Sequence, residues 1–145
     1  MTTIRDLRAD DRDAWLELWR GYLDFYRAEV EDAVTEKTFA RVSGGEDGFH
    51  GLVAVDAYGA IVGFAHAVFH PATWSAGPYC YLEDLYVGRG ARGTGAGRAL
   101  IEAVYAEADR RDAARVYWHT QEYNGAARSL YDTVAQRTSF VMYVR

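Results

Sequence analysis

Hydrophobic positions recur along the chain with two periods, and the period changes from one segment to the next. A period of two predicts strands, whereas a spacing of three and four residues predicts helices with one apolar face. The predicted strands are Thr2–Leu7, Gly51–Asp56, Ala60–Phe69, Tyr79–Val87 and Ala114–Gln121. The predicted helices begin after Asp10 or Asp11, at Thr35, at Ala99 and at or near Asn124. The pattern indicates a globule that combines strands and helices.

The first predicted helix has an aromatic face. Asp10 or Asp11 is placed to cap its first turn. The residues of this face are Trp15, Leu18, Trp19, Tyr22, Leu23 and Tyr26. Such stripes usually pack into a core, and this is the favoured interpretation. The alternative is that the end of the helix, with Phe25, Tyr26 and Glu29, walls a substrate pocket.

The predicted strand Tyr79–Val87 contains two adjacent acids, Glu83 and Asp84. Acids in so apolar a strand are costly to bury without a partner. We expect Asp84 to pair with an arginine or to cap nearby backbone. Burial raises the pKa of a carboxyl group, so Glu83 is the candidate for a general base. Alternation places Tyr81, Glu83, Leu85 and Val87 on one face, and Cys80, Leu82, Asp84 and Tyr86 on the other.

A glycine-dense segment, Arg92-Gly-Thr-Gly-Ala-Gly-Arg98, separates this strand from the next predicted helix. Backbone N–H groups at a helix start have no intrahelical partner, and the helix dipole adds partial positive charge there. Glycines let a diphosphate approach these N–H groups, and the two arginines can add contacts at the rim. An ordinary glycine-rich turn is the alternative. The segment has neither the Lys-Ser/Thr pair of a nucleoside triphosphate loop nor the spacing of a dinucleotide fingerprint.

Composition narrows the classes of protein to consider. With 145 residues, 50% of them hydrophobic, the chain is expected to form one domain, residues 1–145. The formal net charge of −5 argues against nucleic-acid binding and favours a cationic substrate. A single cysteine, with no signal peptide pattern or long apolar span, predicts a cytoplasmic protein without membrane contact. The sequence offers no third metal ligand near His66 and His70, so no metal site is predicted.

Two motifs together resemble those of the GCN5-related N-acetyltransferases (GNAT). Arg-x-x-Gly-x-Gly, beginning at Arg92 directly after a strand, is similar to the coenzyme A pyrophosphate loop of that family. Asn-x-x-Ala-x-x-Leu-Tyr, from Asn124 to Tyr131, is similar to its second motif and follows after one helix and one strand. Tyr81–Val87 and neighbouring segments also resemble the Hpa2-like branch and the diamine and polyamine acetyltransferases.

The resemblance implies a mixed central β-sheet with helices on both faces. The sheet would be splayed near the end of the Tyr79–Val87 strand, where acetyl-CoA inserts. The implied binding residues are Leu85, Tyr86 and Val87 for the pantetheine arm, Arg92, Gly93, Thr94, Gly95, Ala96, Gly97 and Arg98 for the pyrophosphate, and Asn124 and Ala127 for the lower end of the arm.

The chemistry of amine acetylation assigns further roles. An amine with a pKa of about 10 is almost fully protonated at neutral pH and must lose a proton before it attacks a thioester. Glu83, directly or through a water, is the candidate base, and Tyr131 is the candidate acid for the departing thiolate. Strand N–H groups near Leu85 can stabilise the oxyanion. Cys80 is expected on the face opposite Glu83, which predicts direct transfer. The candidate acceptor-binding residues are Phe25, Tyr26 and Glu83.

Three functions are compatible with these residues. N-acetylation of a small polyamine or diamine is favoured by the acidic balance and by the Glu83–Asp84 pair. Acetylation of a protein lysine or N-terminus is the second. A non-catalytic acetyl-CoA-binding module is the third, and it is disfavoured because it would need neither Glu83 nor Tyr131.

The end of the chain departs from the family pattern. Many members follow the helix tyrosine with a Leu-Gly-Phe segment, which is missing after Tyr131. The course of the last strand is therefore left open, and a homodimer is expected only from the resemblance to the branch.

Overall fold

The computed structural model describes residues 1–145 as a five-stranded sheet with helices packed on it. The strands are β1 (Thr3–Asp6), β2 (Phe49–Val55), β3 (Ile61–His70), β4 (Tyr79–Val87) and β5 (Arg115–Tyr117). The helices are α1 (Arg12–Phe25), α2 (Asp32–Gly44), α3 (Ala96–Arg110) and α4 (Gly125–Val134). Strands lie in the order β1-β2-β3-β4-β5, and all neighbours are antiparallel except β4 and β5, which are parallel. No helix has the length and apolar character that crossing a membrane would require.

Most predicted elements are confirmed. α1 begins directly after Asp11, as predicted, but its predicted cap is wrong, and α2 and α3 each begin about one turn early, α3 at Ala96 instead of Ala99. The Asp11 side chain does not cap α1, because it accepts from the Arg8 N–H at 2.8 Å and pairs with the Arg5 guanidinium. α2 begins one turn before Thr35. The Thr35 hydroxyl instead accepts a hydrogen bond from the Trp19 indole at 3.1 Å.

The fifth strand is much shorter than the predicted Ala114–Gln121. It pairs only with Tyr79–Tyr81, the beginning of β4. After Tyr117 the chain leaves the sheet and next becomes regular in α4. β4 continues to Val87 without a neighbour on this side, so the sheet is open along the second half of β4.

Two hydrophobic cores lie on opposite faces of the sheet. On one, the α3 face, Leu100, Ile101 and Val104 pack against β2, β3 and β4. On the other, the α1 face, α1 and α2 cover β2 and β3. There Trp15 and Trp19 are buried and stacked, with 5.4 Å between ring centroids. The prediction that the aromatic stripe packs into a core is confirmed for these two residues.

A β-bulge in β4 breaks the predicted alternation of its side chains. His66 of β3 lies opposite Asp84, and Ala67 lies opposite Leu82, which leaves Glu83 without a partner on β3. Leu82 therefore packs on the α3 face, whereas Asp84 lies on the α1 face. The prediction that these two residues share a face is wrong, because the sequence pattern carries no sign of the extra residue.

The segment after α4 has no regular secondary structure. The absence of Leu-Gly-Phe after Tyr131 thus coincides with the absence of a strand following α4. Large apolar side chains of this segment are exposed, namely Phe140, Val141, Met142, Tyr143 and Val144.

Candidate active site

The open half of β4 borders a cavity at the level of the sheet. Beyond Tyr81 the two parallel strands part, so the outer edge of Leu82–Val87 has no strand to pair with. The cavity is lined by Tyr22, Tyr26, Leu82, Glu83, Leu85, Trp118, His119 and Tyr131. Side chains from α1, β4, α4 and the segment after β5 therefore meet in one site, at the splay expected from the resemblance.

Glu83 is the free carboxylate of this cavity. The bulge separates it from β3, and no hydrogen bond holds its side chain, which reaches solvent. Desolvation by the surrounding protein, and then the charge of Asp84, raise the pKa of Glu83. A carboxylate in this state is a stronger base than an ordinary glutamate.

Tyr131 faces the same cavity from α4. Its ring packs edge-on against Trp118, with 5.4 Å between ring centroids. Burial, and secondarily Tyr26, raise the pKa of the Tyr131 hydroxyl, so it keeps its proton at neutral pH. Both predicted catalytic side chains thus line one cavity.

The glycine-dense loop leads into α3 with unpaired N–H groups. Gly93 and Gly95 have φ angles of 78° and 86°, and a Cβ atom at either would meet no atom within 4 Å. Open space beside unsatisfied N–H groups at a helix start fits a pyrophosphate. No acceptor within the protein engages the N–H groups of Gly93, Gly95, Ala96, Gly97 and Arg98.

The two arginines of this loop have protein partners. Arg92 donates from Nε to the last carbonyl of β4 at 3.4 Å. Its guanidinium lies 5.7 Å from the ring centroid of Phe25 and 5.9 Å from that of Tyr86. Arg98 donates to the Thr133 hydroxyl at 2.7 Å. The contacts predicted between these arginines and the pyrophosphate require both side chains to change partners, and they stay predictions.

Asn124 and Ala127 lie at the start of α4, and the second half of α4 lies beside the start of α3. Asn124 is the N-cap residue, and its Oδ1 accepts from the Ala127 N–H at 3.4 Å. Its amide NH2 group keeps both protons free for a ligand. The two helices approach closely, because a Cβ atom on Gly97 would lie 3.4 Å from Leu130 Cδ2.

The acceptor side of the cavity differs from the prediction at one residue. Tyr26 lines the cavity, as expected. Phe25 does not, since its side chain is 52% exposed and lies against the Arg92 guanidinium. The Phe25 ring contacts the Tyr26 ring edge-on, with 5.1 Å between centroids, and a role of Phe25 in acceptor binding stays a prediction. The Tyr86 ring packs against Tyr22 on the α1 face. The backbone of Tyr86 lies on the free edge of β4.

A buried hydrogen-bonded chain behind Glu83 was not predicted from the sequence. Trp15 Nε1 donates to His66 Nε2 at 3.0 Å, and His66 Nδ1 lies 2.9 Å from Asp84 Oδ2. The Tyr22 hydroxyl donates to Asp84 Oδ1 at 2.8 Å. The arginine or backbone partner predicted for Asp84 is therefore wrong. His66 and Asp84 lie opposite each other on neighbouring strands, a relation that only the strand register reveals.

Cys80 lies in surroundings that make it unreactive. It is fully buried on the α3 face, and burial raises the pKa of its thiol to about 11. A thiol that stays protonated is a poor nucleophile. This environment supports direct transfer over a route through an acyl-cysteine.

A larger cavity, of about 530 Å³, borders the glycine loop and the turn between β2 and β3. Its carboxylate, Asp56, is engaged in that turn by the N–H groups of Tyr58 and Ala60, each at 2.9 Å. Neither Glu83 nor Tyr131 belongs to its lining. The smaller cavity is therefore the candidate site, because Glu83 and Tyr131 line it beside the free edge of β4.

Comparison with known proteins agrees with this geometry. Residues 12–134 match the acetyltransferase (GNAT) family. The chain is 38% identical over 143 residues to the D-amino-acid N-acetyltransferase HPA3 of Saccharomyces cerevisiae, which covers 98% of this chain and 89% of that protein. The Hpa2-like and polyamine assignments are not specifically supported by these matches.

Solved structures of acetyltransferases share the fold. The structure of AAC(6')-Iy in complex with the bisubstrate analogue CoA-S-monomethyl-acetylneamine gives a TM-score of 0.86 at 19% identity, covering 100% of this chain and 97% of that chain. A ribosomal-protein-alanine N-acetyltransferase from Brucella melitensis biovar Abortus 2308 gives 0.82 at 20% identity, covering 100% of this chain and 99% of that chain. The fold predicted from the sequence is confirmed.

Proposed function

Because the chain belongs to the acetyltransferase (GNAT) family, we propose that it moves the acetyl group of acetyl-CoA to the primary amine of a small molecule, with Glu83 as base and Tyr131 as acid. The observation that carries this proposal is the single cavity that both side chains line beside the free edge of β4. GNAT enzymes use acetyl-CoA, which supplies an activated acetyl group as a thioester. Residues 1–145 are proposed to act as one domain.

Glu83 and Tyr131 together account for every proton that moves in the proposed reaction. Glu83 accepts one proton from the acceptor's ammonium on a carboxylate oxygen, which its raised pKa favours. As the C–N bond forms and the C–S bond breaks, Tyr131 gives its hydroxyl proton to the leaving sulfur and regains the second proton of the nitrogen. One proton per turnover then passes from Glu83 to solvent, which its exposed position permits.

Backbone groups are proposed to hold the cosubstrate. The unpaired N–H groups of Gly93, Gly95, Ala96, Gly97 and Arg98 would receive the pyrophosphate. Thr94 lies between them, with its own N–H donated to the Ala91 carbonyl. The free edge of Leu85–Val87 would receive the pantetheine arm, and the Asn124 amide its lower end. Ala127 is small enough to leave room along α4.

The charged groups that line the cavity suit an α-amino acid better than a diamine or polyamine. Because Asp84 is engaged by His66 and Tyr22, Glu83 is the one carboxylate of the lining that is free to bind a cation. A diamine would bring a second ammonium with no carboxylate to meet it there. An α-amino acid brings a carboxylate, to which His119 can donate from Nε2 when its Nδ1 accepts from the Tyr81 hydroxyl at 3.1 Å. The match to a D-amino-acid N-acetyltransferase supports an amino acid as the first candidate. A polyamine, favoured by the net charge of −5, is the second.

Two properties of the whole protein are also proposals. The exposed apolar segment Phe140–Val144 supports a homodimer, because such a surface is usually covered. Light scattering should then show a dimer for the full chain and a monomer after removal of residues 139–145. A monomeric full chain would contradict it. A cytoplasmic location is proposed from the single free cysteine, Cys80.

Thiol release from acetyl-CoA tests the proposed function. The acceptors should include D- and L-amino acids, diamines, polyamines, an aminoglycoside and a lysine-rich peptide. We expect turnover with one class of small amine, and its loss in Glu83→Gln and Tyr131→Phe with acetyl-CoA binding retained. Turnover with the peptide alone would indicate a protein substrate. Tight acetyl-CoA binding without turnover would indicate a non-catalytic module, and full activity in both variants would contradict the assigned roles.

A further inference from the structure

The Trp15–His66–Asp84–Tyr22 chain has a fixed direction. An indole nitrogen can only donate, so His66 Nε2 must accept and the imidazole carries its proton on Nδ1. That proton is donated to one oxygen of Asp84, and the other oxygen accepts from Tyr22. Trp15 and His66 are 1% and 0% exposed, so no solvent reaches them to reverse the order.

The direction of the chain determines what Tyr22 offers to the cavity. Its only hydroxyl proton goes to Asp84, so toward a ligand the oxygen can only accept a hydrogen bond. Burial, and then Asp84, raise the pKa of Tyr22, which keeps the hydroxyl neutral. Tyr22 and Glu83 thus place two acceptors on the wall of one cavity. An ammonium group, with three donors and no acceptor, is the complementary ligand.

The charge of Asp84 acts on Glu83 from behind. The Asp84 side chain has no arginine or lysine partner, and its hydrogen-bond partners are His66 and Tyr22. Its negative charge is the second cause, after desolvation, of the raised pKa of Glu83. The titratable groups that face Glu83 are Asp84 on β4, His66 on β3, Tyr22 and Tyr26 on α1, His119 after β5 and Tyr131 on α4.

We propose that Tyr22 binds the acceptor's ammonium group together with Glu83, and that Asp84, His66 and Trp15 are positioning residues that keep its oxygen turned to the cavity as an acceptor. The inference rests on the proposed function, because it requires an amine substrate. The proposal also explains why a carboxylate, that of Asp84, is placed among the side chains of the α1 face. An amide at position 84 would donate to Tyr22 and turn the hydroxyl proton toward the incoming ammonium.

Tyr22→Phe keeps the ring and removes the acceptor oxygen. We expect the KM for the amine to rise about tenfold or more, the usual effect of losing a hydrogen bond to a charged group. kcat and the KM for acetyl-CoA should stay unchanged, since ground state and transition state lose the contact equally. Tyr117→Phe is the matched control, because its hydroxyl bonds to His70 Nε2 at 2.7 Å outside the cavity lining. An unchanged amine KM in Tyr22→Phe would overturn the proposal.

Asp84→Asn separates positioning from packing. The amine KM should rise as in Tyr22→Phe. The acidic limb of kcat/KM should also move to lower pH, because the charge that raises the pKa of Glu83 is gone. A purely structural role would lower the melting temperature and scale kcat/KM equally at every pH, and that result would overturn the proposal.

The hydrogen-bond order can be read without turnover. Nitrogen-15 NMR of the His66 ring should show a proton on Nδ1 and none on Nε2. A proton on Nε2 would overturn the proposal before any acceptor is identified. Acetyl-CoA binding without turnover on any amine would instead remove the proposed function, and with it the role of Tyr22.

Discussion

The two faces of the sheet share the same strands and have different contents. On the α3 face, Leu100 and its neighbours form an apolar core, and the one thiol, Cys80, is unreactive. On the α1 face, a chain of hydrogen bonds runs from Trp15 through His66 and Asp84 to the cavity. Buried polar groups destabilise a fold unless each is paired, so this chain is tolerated because its members satisfy one another. The α3 face thus provides an apolar core on which Tyr131 packs, whereas the α1 face provides the buried polar chain that reaches the same cavity.

Glu83→Gln should have the largest effect, because it removes the base and leaves both cores intact. We expect kcat/KM to fall by about 10²–10⁴-fold, the usual contribution of a general base. The melting temperature should not fall. Glu102→Gln, at an exposed position of α3, is the matched control and should change neither quantity. A near-normal kcat/KM in Glu83→Gln would contradict the assignment.

The pH dependence of kcat/KM should report the titration of Glu83. Only deprotonated Glu83 can accept a proton, so kcat/KM should fall as pH drops through its pKa, which burial raises above the ordinary 4.5. Glu83→Gln should lose this acidic limb. A limb that persists in the variant would assign the titration to another group.

Leu100→Ala addresses the other face of the sheet. Leu100 is fully buried, and truncation should lower the free energy of unfolding by about 2–5 kcal/mol, measured by urea denaturation. kcat/KM of the folded protein should be unchanged, because Leu100 does not line the cavity. Val34→Ala, at a side chain 46% exposed, should change stability little. A loss of activity without a loss of stability would contradict this account, because it would place Leu100 in the site and not in the core.

Gly95→Ala should have a smaller effect, on acetyl-CoA binding by the glycine-dense loop. An alanine at a φ of 86° is strained by about 1–2 kcal/mol, although its Cβ would meet no atom within 4 Å. Relief of the strain should turn N–H groups away from the pyrophosphate and raise the KM for acetyl-CoA several-fold. Gly90→Ala, equally free of contacts and without a left-handed φ, is the control. Equal effects of the two substitutions would rule out the backbone geometry as the cause.

Cys80 should show the smallest effect. Its buried thiol, with a pKa of about 11, should resist thiol reagents in the native protein. Cys80→Ala should retain kcat/KM. Rapid modification accompanied by loss of activity would contradict direct transfer.

Features set by neighbouring residues could be predicted from the sequence, and features set by strand pairing could not. The bounds of β4, the glycine loop and the start of α4 near Asn124 depend on residues a few positions away. The bulge at Glu83 and the pairing of His66 with Asp84 depend on the register of β3 against β4. The predicted strand Ala114–Gln121 ends at Tyr117 for the same reason, since strand-forming residues without a partner strand do not extend a sheet.

Amide hydrogen exchange with and without acetyl-CoA can locate the cosubstrate in this molecule. Binding at the splayed edge predicts slower exchange in Leu82–Val87 and in Gly93–Arg98. It predicts no change in Asp56–Tyr58, which borders the larger cavity. Slower exchange confined to Asp56–Tyr58, with the loop and β4 unchanged, would contradict acetyl transfer between Glu83 and Tyr131.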